Sequence, residues 1–271
     1  GAGACLYCGL KFSLPWYVCL IAAVAAAAAA GGISGALKAY FNVNEVISCI
    51  MLNWMGLYSV NMLLSAVKEQ STPYTKPLTS TNKSALLPNA GLDQIFSKNE
   101  FVTIGLPLAV LMAVAVWIIL EKTKFGYELK ATGMNKSAAK YCGMREKRNI
   151  ILTMVIAGAL AGFGAGIFYL TGIEQWMVQQ TSVPAMGFNG IAAAFLGGSN
   201  PIGAVFSSYF IQHITSGGTY VDKTMYCSQI SDLISAFIIY LCGFVLFFKV
   251  WLNRYLDKHN EKQNIQKGGA A

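Results

Sequence analysis

Stretches close to twenty residues or longer run through this chain with almost no charge: Leu14–Gly32, Val46–Val67, Phe101–Leu120, Ile150–Ile173 and Ser228–Phe248. At ~1.5 Å of rise per helical residue, each reaches across the ~30 Å hydrocarbon layer of a bilayer. No other feature constrains the fold as strongly. In lipid a backbone must satisfy its own hydrogen bonds, so each stretch is expected to be an α-helix. A closed β-barrel would need short alternating segments, and these runs are continuous. The expected fold class is therefore all-α, a polytopic transmembrane helical bundle in contact with membrane lipid. Only 12% of the residues are charged. Soluble domains carry about 25%, so an ordinary cytosolic enzyme and a disordered tail are both excluded.

The net charge of +8 does not point to nucleic acid, because the basic residues stand in blocks between apolar runs. Segment 121–149 holds eight basic and three acidic residues, and the tail 249–271 holds five and two. Such bias marks the cytoplasmic side of a membrane protein. Parity then puts Lys68–Glu100, Glu174–Met186 and Thr219–Cys227 outside, and Ile33–Asn44 inside or at the interface. Gly187–Gly198 and Pro201–Gly218 must leave and return on one side. The Gly197-Gly198-Ser199-Asn200-Pro201 link cannot continue one helix. The two segments are thus expected to form a broken helical hairpin, which is tolerated at membrane depth only inside protein or beside a water-filled cavity. The loop Lys68–Glu100, with its three prolines and many Ser, Thr and Asn, is expected to be irregular or to carry only short elements.

Within Ile150–Ile173, Gly158, Gly162 and Gly166 recur every four residues beside Ala157, Ala161 and Ala165. That spacing predicts a small-residue groove for close helix packing. Catalytic constellations are not found: there is no H-E-x-x-H and no P-loop, and Gly162–Gly166 lies inside an apolar span. Cys5 and Cys8 lack the second ligand pair that a zinc site requires and are expected to be small packing residues. The chain is read as a non-enzyme without cofactor or metal.

Polar groups at depth are neutral: Asn53, Asn61, Gln212 and His213, with Asn189 at the start of the short helix. Such groups suit an uncharged polar solute better than an ion, though each amide taken singly could equally join helices. In the basic segment, Asn135 reads as an N-cap and Gly143 as a helix C′ residue, with Ala138 and Ala139 between them. Glycines at 126, 133 and 143 are expected to break this segment into steps. A solvated loop would satisfy the same composition more simply.

Motifs now decide between these readings. Thr123-x-Phe-Gly126-x-x-Leu-x-Ala131-x-Gly133, followed by Asn135, Ala138-Ala139 and Gly143, resembles the coupling loop of ABC importer permeases of the branched-chain amino acid and sugar type. Asn44-Glu45-Val46-Ile47 with Met51-Leu52-Asn53 resembles that family's nucleoside-importer branch, as does Gly190-Ile-Ala-x-Ala-x-Leu-Gly197-Gly198-x-Asn200-Pro201-x-Gly203. The similarity extends from Leu14 to Phe248. It implies a single transmembrane permease domain, 1–271, with coupling loop 121–149 and cytoplasmic tail 249–271, lacking the family's first helices. It also implies a multi-pass bacterial plasma-membrane protein that pairs with a second permease subunit, ATP-binding subunits and an extracellular substrate-binding lipoprotein.

The resulting expectation is ATP-driven uptake of nucleosides or related bases. Glu45, Asn53, Asn189 and Asn200 are expected along the translocation pathway. Gly126, Ala131, Gly133, Asn135, Ala138, Ala139 and Gly143 are expected to couple to the ATPase. The alternatives are the same permease type for simple sugars, an ion-coupled secondary carrier, or a scaffold that binds no solute.

Overall fold

In the computed structural model the described residues are 1–88, 103–184, 186–218 and 220, with 230, 233, 234, 236–238, 240, 241, 244 and 252. Of the expected span Ser228–Phe248 only those scattered positions are described, and each is helical. The tail beyond it, apart from Leu252, and residues 89–102 lie outside the described residues.

Helices α1 (Ala2–Lys11), α2 (Trp16–Phe41) and α3 (Glu45–Leu64, continued by a 3₁₀ turn to Val67) come first. A short α4 (Leu78–Thr81) follows, then α5 (Gly105–Lys122), α6 (Lys124–Met134), α7 (Lys136–Tyr141) and α8 (Glu146–Leu170). The last two are α9 (Met186–Leu196) and α10 (Pro201–Gly217). Four of these, α2, α3 with its 3₁₀ turn, α5 and α8, are long and apolar enough to cross a membrane. No strand occurs among the described residues, only isolated bridges, so the fold is an all-α membrane bundle. The chain divides into two units, Gly1–Val183 and Pro184–Ala271.

In the first unit, α2 and α8 form the central seam, and glycines set its register. A Cβ on Gly31 would overlap the carbonyl oxygen of Met154, and one on Gly158 that of Ala27. At Gly162 it would stand 2.5 Å from Ala23 O, and at Gly166 2.7 Å from Leu20 Cδ1. Contacts thus step by four residues up one helix as they step down the other, the mark of an antiparallel pair. The expected groove is present, but its packed line is the glycines: Ala157 and Ala161 are exposed. α2 does not end near Gly32 as its apolar run suggests. It continues to Phe41, because Gly35 lets Ile151 and Met154 approach and the helix gains contacts along its extra turns.

The other spans alternate in direction around this seam. Asn42 adopts the left-handed conformation (φ 51°) that closes α2, and Asn44 Oδ1 accepts from Val46 N at 3.0 Å to open α3. At the far end of α3 a cap of loops collects. Thr75 N donates to Trp176 O (2.9 Å), Val178 N to Pro73 O (2.8 Å) and Leu87 N to Leu170 O (3.0 Å). Asn82 Nδ2 donates to the Gly9 and Leu14 carbonyls, both at 3.1 Å. Leu6, Leu64, Leu78, Leu170 and Trp176 fill the core beneath, with Cys5 fully buried as the small apolar residue expected. The described part of the long loop therefore has only short elements, as expected, yet it is firmly packed. α5 starts beside this cap, where Gly105 abuts Ile167 and Leu87. α2 and α5 run away from the cap and α3 and α8 run back.

The second unit contains the broken hairpin. α9 and α10 meet through buried Ala192, Ala193 and Ile211. Gly198 (φ 64°) and Ser199 (φ 58°) make the reversal. A Cβ on Gly203 would overlap the Gly197 carbonyl oxygen, so the glycines permit backbone contact. Ser207 Oγ donates to Ala193 O at 2.5 Å, which ties the two helices together.

Candidate functional site

The end of the first unit opposite the cap, its base, carries both sequence-derived groups of that unit. There α5 passes into α6 at Thr123, whose Oγ1 accepts from Gly126 N at 3.1 Å. Gly126 lies so close under α5 that a Cβ would collide with the Ile119 carbonyl oxygen. Gly133 sits in the last turn of α6 with open space around it. Neither glycine breaks the helix, contrary to expectation: one serves a backbone contact and the other is tolerated in an exposed turn. The break comes at Asn135, which is extended (φ −152°, ψ 105°). Its Oδ1 accepts from Ala138 N at 3.1 Å and so opens α7. Gly143 (φ 81°) closes it, with Gly143 N donating to Lys140 O and Met144 N to Ala139 O, both at 3.0 Å. This pair of bonds is the Schellman closure that favours glycine at C′.

The two-helix loop is clamped to the start of α8. Asn149 Nδ2 donates to Thr132 Oγ1 at 3.0 Å, and Thr132 Oγ1 donates onward to Glu128 O at 2.7 Å. Both side chains are buried. The sequence shows no sign of this pair, since its partners are far apart in the chain. Asn149→Ala should cost about 1 kcal/mol, the net worth of one hydrogen bond, because Thr132 keeps its carbonyl partner. Tryptic cleavage within the loop should then rise about fivefold if it tracks the opened population, with membrane insertion unchanged. Equal cleavage of wild type and variant would show that the clamp does not hold the loop.

Of the expected coupling residues, Ala139 is 3% exposed and packs inside the loop. Gly126 is also buried and Ala131 half-buried, while Gly133, Asn135, Ala138 and Gly143 are exposed. Two further apolar residues stand in the open here, Met134 at 89% and Tyr141 at 92% exposure. Their mark in the sequence is that they interrupt a basic segment. Ala138 and Tyr141, three residues apart on α7, stand on one exposed side of that helix.

A cavity of about 340 Å³ at the base is lined by Lys38, Glu45, Thr132, Gly133, Lys136 and Asn149. It brings the α2–α3 turn and the loop helices to one place. Glu45 is exposed and pairs with Lys38 (Nζ–Oε2 2.6 Å). Two turns along α3, Asn53 is exposed and its amide makes no hydrogen bond among the described residues. Asn61 behaves otherwise: Nδ2 donates to Gln180 O and Oδ1 accepts from Trp176 Nε1, both at 2.9 Å. It therefore anchors the cap. In the second unit Asn189 is half-buried, and Asn200 Oδ1 accepts from Ile202 N at 3.0 Å as the N-cap of α10.

Comparison with known proteins places this architecture. Residues 1–243 match the family described as the branched-chain amino acid transport system / permease component, and the chain belongs to it. It is 34% identical over 244 residues to the guanosine ABC transporter permease protein NupP of Bacillus subtilis (88% of this chain, 69% of that one). It is 33% identical over 247 residues to the nucleoside ABC transporter permease protein NupB of Lactococcus lactis (89% and 66%). The glucose ABC transporter permease protein TsgB13 of Haloferax volcanii is 27% identical over 261 residues (92% and 67%). The chain thus spans about two thirds of the length of these relatives. No solved structure matches it. The protein is an ABC transporter permease, a multi-pass membrane protein of the cell membrane and not an enzyme.

Proposed function

We propose that this permease takes up nucleosides or related nucleobase compounds, driven by ATP-binding subunits that dock on its loop helices. The observation that carries the substrate is its similarity to the guanosine and nucleoside permeases at 34% and 33% identity, above the 27% shared with the glucose permease. The chemistry agrees. Asn53 offers an uncommitted amide that can both donate to and accept from a base or a ribose, and Trp54 beside it stacks on Tyr58 (6.3 Å between ring centroids). In this reading the base of the bundle is cytoplasmic and Glu45 stands at the pathway's inner mouth. A second permease subunit and an extracellular substrate-binding lipoprotein complete the transporter.

Labelled guanosine uptake by cells expressing the whole transporter tests this. Excess unlabelled adenosine or uridine should suppress it, while glucose and fructose should not. Asn53→Ala should lower uptake about tenfold, the loss of one to two hydrogen bonds to solute, with normal amounts of complex in the membrane. Suppression by glucose instead would favour the sugar reading. Unchanged uptake by Asn53→Ala would leave the amide without a role in the pathway.

A further inference from the structure

A second cavity, of about 590 Å³, lies at the root of the loop, lined among others by Lys124, Phe125, Glu128, Gly143, Arg145 and Arg148. We propose that it binds a phosphate-bearing anion, and that the occupant is the headgroup of an anionic phospholipid. Three cations face one carboxylate there, and none of Lys124, Arg145 and Arg148 forms an ion pair among the described residues. Two arginines close together suit phosphate, because each guanidinium can give it paired N–H donors.

Depth selects the lipid. Lys124 stands two residues after the end of α5 at Lys122, and Arg148 two residues before the apolar run of α8 that begins at Ile150. The site therefore sits where two spans leave the hydrocarbon, at the level of the headgroups. The exposed Met134, Ala138 and Tyr141 lie on the loop helices themselves, beyond the span ends. The cavity also has an apolar wall in Phe125 and Met144, against which the glycerol end of a lipid can rest. Basic pockets at span ends recognise anionic headgroups in this manner. This inference needs only that α5 and α8 cross the membrane. It does not depend on the solute carried.

The test titrates the purified transporter complex in detergent with dioctanoyl-phosphatidylglycerol, dioctanoyl-phosphatidylcholine or inorganic phosphate, and counts bound molecules by native mass spectrometry. Phosphatidylglycerol should saturate a site on this subunit that phosphatidylcholine does not fill. Arg145→Gln with Arg148→Gln should weaken it about thirtyfold, as expected for two basic side chains near a headgroup. Lys130→Gln with Lys147→Gln removes the same charge from the same region. Neither lines the cavity: Lys130 pairs with Glu121, and Lys147 lies over the Tyr40 ring at 5.4 Å. That pair should bind like wild type. Equal loss in both double variants would reduce the effect to diffuse charge and overturn the site, as would equal binding of phosphatidylcholine. If millimolar inorganic phosphate displaces phosphatidylglycerol with the same arginine dependence, the anion site stands and the lipid is removed as its occupant. Loss of ATPase association with lipid binding intact would assign the arginines to a protein contact and also overturn the proposal.

Discussion

Gly158→Leu is expected to abolish assembly of the bundle, while Gly164→Leu on the same helix is expected to leave it intact. A Cβ at Gly158 already overlaps the Ala27 carbonyl oxygen, and the Gly31 Cα lies only 3.3 Å from it. The obstacle is backbone, which no rotamer change can move aside. α2 and α8 would have to separate, and the contacts at Gly31, Gly162 and Gly166 would be lost with the one at Gly158. In lipid, where apolar burial contributes little to helix association, such close packing is the main attraction. Overpacking alone costs about 1–3 kcal/mol, and loss of the whole seam should exceed that. Gly164 is exposed and a Cβ there has no neighbour within 4 Å, so a side chain can leave the helix without touching α2. The measurement is the yield of monodisperse transporter complex after detergent extraction. Normal yield from Gly158→Leu would mean that the α2–α8 seam is not built as described.

Ala138→Glu is expected to remove coupling to the ATP-binding subunits without disturbing the permease itself. Ala138 is exposed between Met134 and Tyr141, on a loop whose own core is closed by buried Ala139 and Thr132. A carboxylate at Ala139 would damage that core and confuse misfolding with lost docking. At Ala138 it reaches only whatever docks on the exposed side of α7. Burying an unpaired charge in that contact costs several kcal/mol. Solute-stimulated ATP hydrolysis by the reconstituted complex should fall at least about tenfold, while hydrolysis by the isolated ATP-binding subunits stays normal. Gly133→Ala, also exposed and with free space for a methyl group, should retain stimulation. Full stimulation from Ala138→Glu would make this loop a topology signal only.

The parts of this fold that were legible in the sequence are those governed by local or compositional rules. Hydropathy and length found α2, α3, α5 and α8, because lipid leaves a backbone no alternative to helix. Asn135 and Gly143 were readable as the ends of α7, since capping and left-handed closure depend on a few neighbouring residues. The glycine stripe of α8 announced a close contact, but its partner on α2 could not be read from it. The same ambiguity hid the end of α2: Gly31 and Gly32 close the apolar run in sequence, yet with Gly35 they admit α8 and the helix runs through them. Gly126 misled for the same reason, as a glycine that permits contact is indistinguishable from one that breaks a helix.

Hydropathy alone gave Asn53 and Asn61 the same standing as amides at depth, and only the motif resemblance put Asn53 on the expected pathway. The fold adds a difference of its own: Asn61 has two partners in the cap, and Asn53 has none among the described residues. The Asn149–Thr132 clamp and the burial of Ala139 arise from tertiary contact and leave no local trace. They tie the loop to α8 and close its interior, while Met134, Ala138 and Tyr141 stay exposed.

ATP-dependent guanosine accumulation tests the central claim most directly. Proteoliposomes would carry this permease, its partner permease and the ATP-binding subunits, with the substrate-binding protein and guanosine outside and ATP enclosed. Guanosine should accumulate against its gradient only when ATP is enclosed, and accumulation should persist when proton and sodium gradients are collapsed by ionophores. Accumulation without ATP that is driven by an imposed ion gradient would contradict the account and make the protein an ion-coupled carrier.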